Sequence, residues 1–191
     1  MQSQSLTESQ SARRERMLTV ALGLALTGGW DGVQMREVAS RAGVALGTLY
    51  RYFPSKEHLL VSLMLDQVRS LADRLAVRPP EGADSVDRVS DVLRRANRAL
   101  QAQPEVTTAM IRALVSGNTD IAPVVASVRE EMRRIIANAL VEEGQPDADR
   151  VLRIDLLSDV WLATVVSWIS GSADVDSVVP RLRDAAGVML T

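Results

Sequence analysis

No cysteine occurs among the 191 residues. A disulfide scaffold and thiolate metal sites are therefore excluded, and the chain suits an intracellular setting. Histidine is nearly absent too: His58 stands alone, so a zinc site would lack its ligands. Asp174 and Asp176 open a calcium-loop-like pattern, but no glycine or closing glutamate follows at the needed offsets. Capping of the last helix accounts for them better, and Asp147 and Asp149 read the same way. No nucleophile and base fall into a recognisable set, and no phosphate loop is present, so neither an enzyme nor a cofactor is expected. No apolar run approaches the roughly 20 residues needed to span a bilayer. The N-terminal MQSQSLTESQ is polar, unlike a signal peptide. The expected location is the cytoplasm, away from membranes. No stretch alternates in the manner of a strand.

What remains is a chain of 47% hydrophobic residues, enough for a sizeable core in one domain or two small ones. Net charge is −2. Its distribution says more. Residues 1–60 carry Arg13, Arg14, Arg16, Arg36, Arg41, Arg51 and Lys56 against Glu8, Glu15, Asp31, Glu37 and Glu57, so the excess of positive charge lies near the N-terminus. Helical periodicity recurs throughout. Helices are expected over about Ala12–Thr27, Met35–Ala42, Ala45–Phe53, Lys56–Leu75, Ser85–Gln101, Pro104–Ser116, Pro123–Glu142, Asp147–Ser170 and Val175–Leu190. Gly28-Gly29, Pro79-Pro80-Glu81-Gly82, Gly117-Asn118 and Gly144-Gln145-Pro146 supply the breaks, and Ser55 is a natural N-cap. The fold is expected to be all α, about nine helices. Residues 1–10 read as a disordered arm, 11–55 as a first domain and 56–191 as a second.

Met35–Lys56, MREVASRAGVALGTLYRYFPSK, carries the sharpest signal. Met35, Val38, Ala39 and Ala42 form one apolar stripe, and Gly43 follows where a helix end needs positive φ. Ala45, Leu49 and Phe53 then share one side of a second short helix. Gly47, Tyr50 and Arg51 take the other, with Leu46, Thr48 and Tyr52 at its margins. Two helices about a glycine turn, the second with donors outward, form a helix-turn-helix. Tyrosine hydroxyls and a lysine there can bond phosphates. Thr48 and Arg51 are the better candidates for base edges, since arginine to guanine is the commonest specific contact. Gly47 lets the backbone approach a duplex. Arg36 could reach phosphate or base. Arg13, Arg14 and Arg16 fit either a solvated helix start or an arm laid on DNA. GVALGTLYRYFPSKEHLL and the preceding GGWDGVQMREVASRAG resemble the DNA-binding signature of TetR-family transcriptional regulators. The resemblance implies that Tyr50, Tyr52 and Lys56 contact phosphates. Two departures from the family pattern stand out: Gln34 replaces a capping threonine, and Leu46 a polar residue.

Further on, Met64, Val68, Leu100, Met110, Leu114, Trp161, Val165 and Trp168 are large apolar residues on candidate inner faces. They are either plain core or the lining of a ligand cavity between helices. The last two helices are the most apolar, which suggests burial on more than one side. Val160, Thr164 and Ser167 on one, and Val178, Leu182, Ala185 and Met189 on the other, are the expected seam of a homodimeric four-helix bundle. Asn97–Leu100, Thr108–Ala113 and Ser158–Leu162 resemble the branch of the family that represses cholesterol catabolism in actinobacteria. That resemblance implies a steroid-related apolar effector, as such or as its coenzyme A thioester, with Arg94, Arg95, Arg98 and Arg112 as candidates for the coenzyme A group. The expected function is a ligand-released repressor of catabolic genes that binds a palindromic double-stranded operator. A repressor answering to a long-chain acyl thioester or another apolar molecule, controlling for instance an efflux gene, is the alternative.

Overall fold

The computed structural model describes residues 8–140 and 148–190. Among them are nine α-helices and two 3₁₀ turns, with no strand. The helices are α1 (Glu8–Gly32), α2 (Met35–Arg41), α3 (Leu46–Tyr52), α4 (Lys56–Val77), α5 (Ser85–Gln101), α6 (Pro104–Leu114), α7 (Ala122–Ala139), α8 (Ala148–Ile169) and α9 (Val178–Leu190). The all-α expectation holds. No helix among the described residues is long and apolar enough to cross a membrane.

Several boundaries differ from the sequence reading, each for a local reason. α1 begins at Glu8, inside the segment expected to be a disordered arm; residues 1–7 of that arm lie outside the described residues. It also runs past Gly28 to Gly32, because Gly29 breaks the helix without ending it (φ 53°, ψ −142°). Only glycine takes that backbone readily, and Gly29 is buried, with Glu105 of α6 so near that a Cβ would sit 3.1 Å from its Oε2. The expected end of α7 at Glu142 and the Asp147 cap fall outside the described residues. α9 starts at Val178 because Val175–Ser177 form a 3₁₀ turn. The Asp176 N–H donates to Asp174 Oδ1 at 3.3 Å and the Ser177 N–H to the Asp174 carbonyl at 3.1 Å, so Asp174 is a cap.

The described residues sort into two compact units. One contains α1–α3, α4 as far as Met64, and Gln103–Val125 with α6. The other contains Leu65–Ala102 and the chain from Ala126 onward. In the first unit, α1 and α6 pack along their length. Met17, Leu18, Ala21, Leu24 and Ala25 of α1 are buried, as are Val106, Ala109, Met110 and Ala113 of α6. Each large side chain so buried contributes about 1.5–3 kcal/mol. Ser55 caps α4 as expected, accepting the His58 N–H at 3.0 Å, and Asn118 reaches the same hydroxyl at 3.4 Å.

In the second unit α9 packs on both α5 and α8. Asp84 caps α5 by accepting the Asp87 N–H at 2.8 Å. Arg88 donates to the Ala139 carbonyl at 2.9 Å, closing the end of α7 on the start of α5. Arg133 of α7 holds both carboxylate oxygens of Asp155 of α8, at 2.8 and 3.3 Å. Asp91 is the buried carboxylate of this unit, 7% exposed, held by Arg94, by Arg95 at 2.6 Å and by the Glu81 N–H at 3.2 Å. Burial alone would push its carboxyl up. The Glu81 N–H and the two guanidinium groups outweigh that and hold it below the ordinary aspartate value.

Candidate nucleic-acid interface

α2 ends in a two-bond turn. Gly43, at φ 67°, donates to the Ser40 carbonyl at 3.1 Å, and Val44 donates to the Ala39 carbonyl at 3.0 Å. This Schellman arrangement satisfies the last carbonyls of α2 and turns the chain into α3. Gln34 supplies no side-chain cap to α2; its Nε2 instead donates to the Asp31 carbonyl at 2.8 Å. α3 is anchored by Leu49 and Phe53, both essentially fully buried. The guanidinium of Arg14 in α1 lies 5.6 Å above the Phe53 ring, so this arginine is not a free arm. Ala45, expected on the inner side, is exposed: it is the extended N-cap of α3 and not part of its buried face.

The rest of α3 follows the expected partition. Gly47, Tyr50 and Arg51 are exposed, and Leu46, Thr48 and Tyr52 are half-buried at the margins. Arg36 of α2 is exposed as well. An open cleft of about 760 Å³ brings Arg36, Tyr50 and Lys56 together, with Gln34, Glu37 and Arg41 also on its wall. Thr48, Arg51 and Tyr52 lie outside that cleft, on the same short helix. Arg41 was not anticipated as a wall residue. Its 2.6 Å pair with Glu37 one turn back is a spacing visible in the sequence.

Lys56 sits differently from a free surface lysine. Its Nζ rests 4.3 Å from the centroid of the Trp30 ring, and the guanidinium of Arg112 in α6 lies 4.6 Å from the same ring. Trp30 therefore meets side chains of both α4 and α6. Burial lowers the Lys56 pKa, Asp31 opposes that shift, and the like charge of Arg112 adds to it. His58, one turn into α4, is also held below its ordinary value, by burial and then by Arg14. Its ring has a serine, Ser62, at 3.4 Å and no metal ligand, and no group of acidic, histidine or cysteine side chains among the described residues could hold a metal ion.

A methyl group added at Gly47 would meet nothing within 4 Å, so the chain itself does not require glycine there. Gly47→Ala is expected to stabilise the free protein by about 0.5–1 kcal/mol through helix propensity, while weakening operator binding. Thermal unfolding and a gel shift on the same sample test both halves. Undiminished DNA affinity would place the duplex away from this backbone.

The expected effector residues divide between the units. Met64, Met110 and Leu114 belong to the first, where Met64 and Met110 are buried and Leu114 is half-buried. Val68, Leu100, Trp161, Val165 and Trp168 belong to the second; Val68 and Val165 are buried and the others half-buried. Of the candidate coenzyme A arginines, Arg94 and Arg95 are engaged by Asp91 and Arg112 by Trp30, which leaves Arg98 exposed.

Part of the expected dimer seam is buried within the single chain. Val178 and Leu182 are 0 and 1% exposed, and Thr164 is 6% exposed, its hydroxyl donating to the Val160 carbonyl at 2.7 Å. α9 turns its Val178 and Leu182 stripe toward its own unit's core, and Thr164 of α8 is buried in the same unit. Val160, Ser167, Ala185 and Met189 remain half-buried. Within the single chain α8 leaves Leu152 and Leu156 55 and 45% exposed.

A short helix set by a glycine turn, with arginine and tyrosine outward, in a chain whose described residues hold helices and no strand, defines a helix-turn-helix regulator. The family described as bacterial regulatory proteins, tetR family, matches residues 17–63, and the tetracyclin repressor-like C-terminal domain matches residues 82–189. The chain is 38% identical over 184 residues to the HTH-type transcriptional repressor KstR of Rhodococcus jostii (strain RHA1), covering 96% of this chain and 85% of that one. It is also 38% identical over 187 residues to KstR of Mycobacterium tuberculosis (strain ATCC 25618 / H37Rv), covering 96% and 83%. A solved TetR transcriptional regulator from Rhodococcus sp. RHA1 superposes with a TM-score of 0.89 at 36% identity, covering 96% of this chain and 98% of that one. The chain belongs to the TetR family; it is a transcriptional regulator and not an enzyme.

Proposed function

We propose that the protein is a homodimeric repressor whose α3 helices read a palindromic operator and whose second unit binds an apolar effector that releases DNA. The observation that carries this reading is the outer face of α3, with Gly47, Tyr50 and Arg51 exposed over a buried Leu49 and Phe53. The repressor role is supported by the similarity to KstR. Residues 11–55 are then the DNA-reading domain and 56–191 the domain of effector and partner. Arg36, Tyr50, Tyr52 and Lys56 hold phosphates, and Thr48 and Arg51 face bases. Val68, Leu100, Trp161, Val165 and Trp168 form the effector side of the second unit. Their aliphatic and indole surface suits a saturated ring system such as a steroid. With Arg94 and Arg95 bound to Asp91, a coenzyme A group would have Arg98 as its cation. The dimer seam is the exposed side of α8, with Leu152, Leu156, Val160 and Ser167, joined by Ala185 and Met189 of α9. The effector acts only if it binds the DNA-released geometry more tightly than the DNA-bound one.

Sequencing the genomic fragments retained by the purified protein tests the reading, and should return one inverted repeat. On that repeat, Arg51→Ala is expected to relax preference at a single base pair, by about 1–3 kcal/mol. Lys56→Ala is expected to weaken all sequences alike and to reduce the salt slope by about one unit. Retention of no specific fragment would sink the operator-binding role. A uniform loss for Arg51→Ala would move that residue to the phosphate contacts.

A further inference from the structure

Buried polar atoms in folded proteins nearly always have a partner, so those that lack one need an explanation. Among the described residues of the second unit, three side chains break the rule: Asn97 at both amide atoms, Trp161 at Nε1 and Ser90 at Oγ. Asn97 is the extreme case, 1% exposed. It sits on the apolar side of α5, one turn beyond Leu93, where leucine or alanine would pack at no electrostatic cost. Ser90 is two turns back on the same side of α5, and Trp161 lies on α8. Both helices pack on α9. An amide so placed weakens the empty protein, because its desolvation is uncompensated. Natural chains keep such a local conflict where it serves binding.

We propose that Asn97, with Trp161, is the hydrogen-bonding anchor of the effector site, and that the effector carries a carbonyl oxygen on an otherwise apolar body. The inference rests on the effector reading above and adds to it the polar residues that the apolar lining lacks. The chemistry follows from the inventory of unpaired groups. The Asn97 amide offers two N–H donors and the Trp161 indole a third, so the missing partner is first of all an acceptor. Neither side chain brings charge, which favours a neutral ketone, ester or thioester oxygen over a phosphate. A ring ketone and an acyl carbonyl share this chemistry.

The test uses the full-length protein and two variants, Asn97→Leu and Trp161→Phe, each close in shape to the original. Without any ligand, Asn97→Leu is expected to raise the unfolding midpoint by about 2–4 °C, since it removes an unpaired amide from an apolar stripe. Three probes are then titrated: cholestanone, with a ring ketone only; cholanic acid, with a carboxyl at the chain end; and stearoyl-coenzyme A, with a thioester carbonyl and no steroid ring. At least one should raise the wild-type midpoint and release DNA, and the responsive probe identifies the source of the carbonyl. Its apparent affinity should fall at least about tenfold in Asn97→Leu, and measurably in Trp161→Phe. An unchanged or lowered midpoint in ligand-free Asn97→Leu would overturn the inference, because the amide would then be serving the fold. An undiminished response of Asn97→Leu to a probe that moves the wild type would overturn it too, while leaving the effector reading intact. A wild type that answers none of the three probes would overturn both.

Discussion

Asp91→Ala is expected to destabilise the protein by about 3–5 kcal/mol, toward the lower end because one of its partners is partly solvated. The carboxylate is 7% exposed and gathers Arg94, Arg95 and the Glu81 N–H. Arg95, at 19% exposure, does more than pair with it: its guanidinium also donates to the Arg78 carbonyl at 2.7 Å and the Pro79 carbonyl at 3.2 Å, pinning the end of α4 and the chain that leads to α5. Removing the carboxylate leaves that guanidinium half-satisfied and strands the Glu81 N–H. Arg94, at 41% exposure, can turn to water and softens the loss. Asp91→Asn keeps an acceptor for the N–H and should fall between wild type and alanine. The pH dependence has a definite sign. A carboxyl held below its unfolded value of 3.8 contributes stability that is present above that value and is lost as pH falls through the lower folded value. Urea unfolding of wild type and Asp91→Ala at neutral pH and near pH 3 checks both statements. The gap between the two proteins should narrow on acidification, and a constant gap would mean that the carboxylate charge is not what Asp91 contributes.

The helix-turn-helix was legible residue by residue because its determinants are local. Gly43 requires positive φ, Leu49 and Phe53 fall at i and i+4, and Gly47, Tyr50 and Arg51 have only outward directions left. Ser55 announced α4, and Asp174 the turn before α9, through bonds spanning two or three residues. What the pattern could not supply is the identity of distant partners. α6 lies against α1 with more than seventy residues between them in sequence, and Arg112 meets Trp30 across that separation. Spacing alone assigns no neighbour to either. Asn97 shows the complementary limit. Its place on an apolar stripe was visible, but that both its amide atoms lack a partner depends on the packing around it.

The apolar stripe of α9 carries the same lesson into the quaternary structure. Val178 and Leu182 repeat at i and i+4, which establishes a buried face but not whether the burying surface belongs to the same chain. Leu182 is 1% exposed within one subunit, so Leu182→Glu is expected to cost about 3–5 kcal/mol or more by emptying a leucine site and burying an unpaired charge. The outcome should be loss of the folded subunit, not a clean monomer. Leu156 of α8 is 45% exposed, and Leu152 one turn earlier is 55% exposed. Leu156→Glu therefore leaves the subunit core untouched and places its charge on the proposed seam, where a symmetric partner would set a second copy of the charge close by. Sedimentation and circular dichroism separate the two variants. Leu156→Glu is expected to sediment as a helical monomer with weakened operator binding, since a single subunit reaches only one half-site. A Leu156→Glu protein that remains a stable dimer would place the seam elsewhere, and a folded, monomeric Leu182→Glu would return it to the α9 stripe.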